Sequence, residues 1–140
     1  MSTAMEDKDA IRELLADYCY RLDAGEKEAM AALFTEDGTW ETAFGTGTTR
    51  AGIVAQLDRI AALSPGPRPR RVHYTTNILI RLEGETASVT SNWLVVENRK
   101  DGPGINSGGA YHDTVVKRNG AWLFRHRRID RFLAAEKYEY

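Results

Sequence analysis

Ile11, Leu14, Leu15, Tyr18 and Leu22 recur three, one, three and four positions apart, which is the spacing of one helical face. Thr3 and Glu6 frame the start as a capping box, the threonine accepting a backbone N–H and the glutamate reaching back. Asp7 and Asp9 follow near the positive end of the helix dipole, and Gly25 is a natural stop. A helix is predicted over about residues 5–24. A shorter helix is predicted over Glu26 to Phe34, with Met30, Leu33 and Phe34 as its apolar side, and Asp37-Gly38 reads as a turn. Thr39 to Phe44 alternates as a strand, with Trp40, Thr42 and Phe44 on one side, and Gly45 and Gly47 break it. Helical spacing returns from Gly52 to Leu63 through Ile53, Leu57 and Ile60. Ser64 to Pro69 contains three prolines and must be loop.

Beyond the prolines the period changes to two. Val72, Tyr74, Thr76, Ile78, Ile80 and Leu82 alternate with His73, Thr75, Asn77, Leu79 and Arg81. Glu83-Gly84-Glu85 turns the chain into a β-rich run from Thr86 to Asn98. A second turn at 100–104 leads to a strand over Ser107 to Arg118. Asn119-Gly120 is a strong hairpin signal, because both positions tolerate φ > 0, and a last strand runs from Ala121 to about Leu133. Helices and one short strand therefore precede a four-stranded antiparallel meander. That order predicts an α+β fold in one domain, with helices on one side of a curling sheet and a pocket between the layers.

Composition narrows the class. With 140 residues and 42% hydrophobic positions the chain can bury a core without disulfides or a structural metal. A net charge of -1 argues against nucleic acid as partner. The single cysteine, Cys19, permits no intrachain disulfide and no thiolate cluster. The longest apolar runs are as short as Trp93 to Val96, far below a membrane span. Met1 to Lys8 is polar and acidic and lacks the apolar stretch of a signal peptide, so a cytoplasmic protein is expected.

Candidate chemistry is sparse. Asp23 ends the first helix at the margin of its apolar face, where the dipole is unfavourable for an anion, so a partner such as a histidine is expected. His73 opens the long strand on the side carrying Thr75 and Asn77, the more polar of the two. Tyr18 lies on the apolar helix face, and a buried phenol needs a hydrogen-bond partner. The three histidines lack the short spacings of zinc sites, so no metal is expected. Arg68, Arg70 and Arg71, and Arg125, Arg127 and Arg128, read as solvated faces. Arg131 is singled out as the arginine able to reach a substrate carboxylate or phosphate. No serine elbow, phosphate-binding glycine loop or dinucleotide fingerprint is present.

Four segments occur in order: Tyr18 to Asp23, Leu33-Phe34-Thr35-Glu36-Asp37-Gly38, Val72-His73-Tyr74-Thr75-Thr76-Asn77, and Asn119-Gly120-Ala121-Trp122. That series resembles the SnoaL-like group of the nuclear-transport-factor-2-like superfamily, over about Asp7 to Phe132. The resemblance implies a cone-shaped α+β barrel, with N-terminal helices packed in a strongly curved antiparallel or mixed sheet, as a single domain over 1–140. Among lyases of that group, such as scytalone dehydratase, lindane dehydrochlorinase and bile-acid 7α-dehydratase, a catalytic aspartate ends the first helix and a histidine starts the long strand. Asp23 and His73 match those positions. Tyr18 matches a tyrosine of the bile-acid enzyme, whose Gly-Ile-Asn-Gly-Gly-Ala stretch resembles Gly104 to Ala110 here. The second histidine of scytalone dehydratase falls near Glu97 and Asn98, so its double-histidine mechanism does not transfer.

The resemblance thus implies a cofactor-free lyase or isomerase acting on a small, largely apolar, oxygenated molecule. His73, Asp23 and Tyr18 are the expected catalytic residues, and Arg131, Asn106, Tyr111 and Trp40 the expected substrate-binding ones. The competing expectations are a noncatalytic binding module or oxygenase small subunit, and a polyketide-cyclase-like enzyme using Asp23 alone. The noncatalytic reading predicts that Asp23 and His73 stay apart. A homotrimer or homodimer is expected, because Thr86 to Asn98 is apolar on both faces and one of them needs a partner.

Overall fold

The structure is a computed structural model that describes residues 1–134. Helix α1 spans Ala4–Asp23, α2 Lys27–Ala31 and α3 Thr49–Ala62. The strands are β1 Phe34–Thr42, β2 Gly45–Thr48, β3 Arg71–Glu83, β4 Thr86–Arg99, β5 Gly102–Arg118 and β6 Ala121–Ala134. They form one sheet in the order β2-β1-β6-β5-β4-β3. The four long strands are the expected antiparallel meander, and β1 joins it parallel to β6, which makes the sheet mixed. This is the α+β architecture the chain pattern predicts. Among the described residues no helix is long and apolar enough to cross a membrane.

The capping box forms as the residues dictate. Thr3 Oγ1 accepts from the Glu6 N–H at 3.2 Å and Glu6 accepts from the Thr3 N–H at 2.6 Å. Asp7 then ties α1 to the sheet, accepting from Trp122 Nε1 at 3.0 Å and Lys117 Nζ at 3.1 Å. Ile11, Leu14, Leu15, Tyr18 and Cys19 are buried along the inner stripe of α1. They share one core with the inward residues of β4, among them Ala87, Val89, Trp93 and Val95, which alternate with more exposed neighbours.

Several local expectations are corrected. The second helix ends at Ala31, because Phe34 is fully buried as the first residue of β1 and Leu33 already accepts from the Phe124 N–H of β6. Asp37-Gly38 is a bulge inside β1, where its register against β6 shifts between Phe34 and Thr39. Gly45 and Gly47 turn the chain and pair it back as β2. A side chain at Gly47 would sit 2.6 Å from the Gly52 carbonyl, so only glycine lets α3 start this close. That helix begins at Thr49, three residues earlier than its apolar spacing suggests. Likewise β5 begins at Gly102, inside the expected turn.

The consequential correction lies in β3, which is not an uninterrupted period-two strand. Its register against β4 shifts between Thr76 and Leu79, and Asn77 has φ +54°, a conformation asparagine tolerates. Before this bulge the odd residues, including His73, oppose the inward residues Trp93 and Val95. After it the even residues Ile80 and Leu82 oppose Val89 and Ala87. One strand thereby sends a histidine into the cavity and isoleucine into the core. Further shifts within the β4–β5 and β5–β6 pairs bend the sheet around the helices.

Candidate active site

Asp23 is the last residue of α1, and its carboxylate meets the beginning of β3. Oδ2 accepts the His73 backbone N–H at 2.9 Å, and Oδ1 lies 2.5 Å from His73 Nδ1. Both side chains are 19% exposed. A carboxylate that accepts from the backbone with one oxygen presents the other to the ring as an acceptor, so the proton of neutral His73 belongs on Nδ1. Nε2 then carries the free lone pair, and among the described residues it bonds to no protein group. The poor dipole position of Asp23 is offset by these two donors.

Tyr18 lies five residues before Asp23 on the inner face of α1 and is fully buried. Its Oη accepts from Trp40 Nε1 at 3.0 Å, which leaves the phenol proton free to be donated elsewhere. Burial pushes the phenol up to about 12, against the opposing pull of the Arg127 guanidinium. Tyr111, 1% exposed, stands edge-on to Tyr18 with ring centroids 6.0 Å apart and stacks on Trp93.

These groups line one cavity of about 810 Å³ between the helices and the sheet, within the range of small-molecule sites. Asp23, His73, Tyr18, Trp40, Tyr111, Asn106 and Arg131 all lie on its wall, so the structure brings every predicted site residue together. Their exposures differ. Trp40 and Tyr111 form the floor, whereas Arg131 is exposed, with its guanidinium 5.4 Å from the Phe44 ring. Asn106 is the extra residue of the β4–β5 bulge, and its amide donates to Glu97 Oε2 at 3.1 Å. Glu97 also accepts from Arg71 and Arg99. Burial pushes the Glu97 carboxyl up, but these donors outweigh it and hold the group below the usual range. The cavity is less apolar than expected: its floor is aromatic, yet Arg21, Lys27, Arg68, Arg70 and Arg71 share its wall.

The pattern misassigned one residue outright. Arg127, read as solvated, is fully buried behind the floor. It forms two parallel bonds to Asp113, Nε to Oδ1 at 2.8 Å and Nη2 to Oδ2 at 3.1 Å. Its guanidinium carbon lies 3.7 Å from the Tyr111 ring centroid, 4.2 Å from that of Tyr18 and 4.5 Å from that of Phe124. A signal existed: Asp113 alternates with Tyr111 and Val115 on the buried side of its strand, and a buried carboxylate demands a cation. Among the described residues, no three His, Cys, Asp or Glu side chains gather as metal ligands.

Helices closing over a bent mixed sheet, with a cavity between the two layers, are the architecture of the nuclear-transport-factor-2-like class. Within it the chain belongs to the SnoaL-like domain family, whose model matches residues 3–128. A candidate scytalone dehydratase from Novosphingobium aromaticivorans is 30% identical, with a TM-score of 0.76 over 92% of this chain and 86% of that one. A single-substitution variant of Rv3472, a protein of unknown function from Mycobacterium tuberculosis, is 27% identical, with a TM-score of 0.80 over 91% and 73%. An NTF2-like protein with a cystatin-like fold from Novosphingobium aromaticivorans is 27% identical, with a TM-score of 0.77 over 89% and 81%. No curated protein matches the chain significantly.

Proposed function

We propose that the protein is a cofactor-independent lyase of the dehydratase or dehydrohalogenase type, or an isomerase, acting on a small oxygenated substrate with an apolar body. The observation that carries this reading is the Asp23 carboxylate holding both the ring and the backbone N–H of His73 within the cavity. His73 Nε2 removes a proton beside a carbonyl or beside a carbon bearing the leaving group, acting as the general base. Asp23 fixes the tautomer and stabilises the imidazolium that forms. Tyr18, already bonded by Trp40, donates its free proton to the developing oxyanion or the departing group. Asn106, Arg131, Trp40 and Tyr111 position the substrate. The similarity to a candidate scytalone dehydratase supports the same reading.

A cyclase-like role for Asp23 alone is disfavoured, because both its oxygens are engaged by His73. The noncatalytic reading requires the two residues apart, and their contact counts against it. The test is a screen of enone-forming dehydrations, dehydrohalogenations and double-bond isomerisations, with His73→Ala as control. Turnover that disappears in the variant supports the proposal, and turnover unchanged by it overturns the dyad.

The same reading includes a homotrimer or homodimer. On the outer face of the sheet Tyr74, Leu94, Gly108 and Leu133 form one row across four strands, flanked by Val72, Val96 and Ile105. Tyr74, Ile105 and Leu133 are each at least half exposed. A monomer by light scattering at micromolar concentration would overturn it.

A further inference from the structure

We propose that Arg127 is a positioning residue that charges the cavity floor from behind, turning Tyr18 and Tyr111 into a paired donor site for a delocalised anionic oxygen. The ligand class this selects is a phenolate or enolate, held in preference to the corresponding neutral phenol or ketone. The inference builds on the proposed lyase or isomerase site, naming what its floor recognises.

Three observations carry it. First, the cation is placed face-on against both phenols, at 4.2 Å from the Tyr18 ring and 3.7 Å from the Tyr111 ring, with solvent excluded. A cation against a ring face stabilises negative charge that spreads into that ring, so the guanidinium opposes the burial that pushes both phenols up. Second, both phenols have a proton to give. Tyr18 uses its oxygen to accept from Trp40. Tyr111 lines the cavity and its hydroxyl bonds to no protein group among the described residues. Third, the arrangement is costlier than structure alone requires. Arg127 Nη1 is buried without a hydrogen-bond partner among the described residues, and a well-packed apolar pair usually serves a core at least as well as a buried ion pair. A field directed at the two phenols accounts for keeping the charge.

Arg127 does not line the cavity, whereas both tyrosines do. Its influence therefore passes through their rings. The other ionisable groups packed around it are Asp113, which holds it, and Cys19, whose thiol is pushed up by burial. Asp113 grips the guanidinium through Nε and Nη2, and its carboxylate works against the cation by pushing both phenols up.

The experiment uses 4-nitrophenol, whose neutral and ionised forms differ in visible absorption, titrated with the full-length protein across the ionisation range of the probe. The intact protein should bind the phenolate at least ~10-fold more tightly than the phenol. The double substitution Asp113→Leu with Arg127→Met replaces the pair by apolar groups and should erase most of that preference in a folded protein. Asp113→Asn, which leaves the cation unneutralised, should raise the preference. Either single or double variant that folds decides the matter, because the two shifts have opposite sign. Equal binding of both forms by the intact protein, or an unchanged preference in a folded variant, overturns the proposal. The measurement needs no turnover, so it can fail while the His73 dyad stands, and succeed while the dyad fails.

Discussion

Two carboxylates, one on the cavity wall and one behind its floor, hold their nitrogen-bearing partners on opposite terms. Asp23–His73 joins a helix end to a strand beginning, is partly open to solvent, and uses a side-chain type suited to proton exchange near neutral pH. Asp113–Arg127 joins two adjacent strands, is sealed, and has a partner that stays charged. Desolvation opposes the Arg127 charge, but the adjacent Asp113 outweighs it and drives the guanidinium to hold its proton even more firmly. The comparison teaches that solvent access sorts the roles. A group must exchange protons with substrate to act as a base, while a group that supplies a fixed field works best where water cannot screen it.

The largest effect that would break this contrast is on stability. Arg127→Met alone strands a buried carboxylate and should cost about 3–5 kcal/mol, read from denaturant unfolding. The Asp113→Leu, Arg127→Met double variant should recover most of that loss. Asp23→Asn, by contrast, should leave the unfolding midpoint within the range of a surface substitution. Equal destabilisation by the two single variants would mean that both pairs are architectural.

On turnover the order reverses. His73→Ala should lower kcat by at least ~100-fold on a substrate found by the screen. Asp23→Asn should act comparably, because it misorients the imidazole without changing volume. Tyr18→Phe comes next: kcat should fall more than KM rises if the phenol acts in the transition state. It also strands the Trp40 indole N–H, at a cost of about 1–3 kcal/mol, so its melting temperature must be measured alongside.

The smallest effect concerns the rim. Glu97 is held below its ordinary value of 4.5, so its contribution to stability is complete above that pH. It is lost as pH falls through the lower value of the folded state. Acidification through that lower value should therefore loosen the Arg71–Glu97–Asn106 contacts, seen as reduced amide protection factors at Arg71 and Asn106. Glu97→Gln should abolish that pH dependence, and a rim insensitive to acid in the intact protein would remove Glu97 as its clamp.

Much of this was legible in the chain, and the reason is locality. Capping residues, apolar spacing, proline loops and the Asn119-Gly120 turn are satisfied by neighbours a few positions away, so they placed α1, α3 and the four-stranded meander. Asn119 and Gly120 adopt the expected φ of +50° and +81°. The position of Asp23 at an unfavourable helix end and the polar side of His73 likewise announced that each lacked something. That each lacked the other was supplied by family resemblance and met by a 2.5 Å contact across 50 residues.

What only the tertiary structure decided depends on which way a side chain faces after a bulge. Strict alternation places His73 and Ile80 on opposite faces, yet the left-handed turn at Asn77 brings both inward. Gly109 shows the same dependence where β5 meets β6. A side chain there would lie 1.8 Å from the Asp130 carbonyl, so its absence lets β6 approach as its register shifts. Arg127 is the clearest case. Its neighbours in sequence are Arg125, His126 and Arg128, which signal solvent, while its neighbours in space are three aromatic rings and a carboxylate. Local composition reports the average environment of a segment. A strand sends alternate residues to two different environments, and a bulge decides which of them receives the charge.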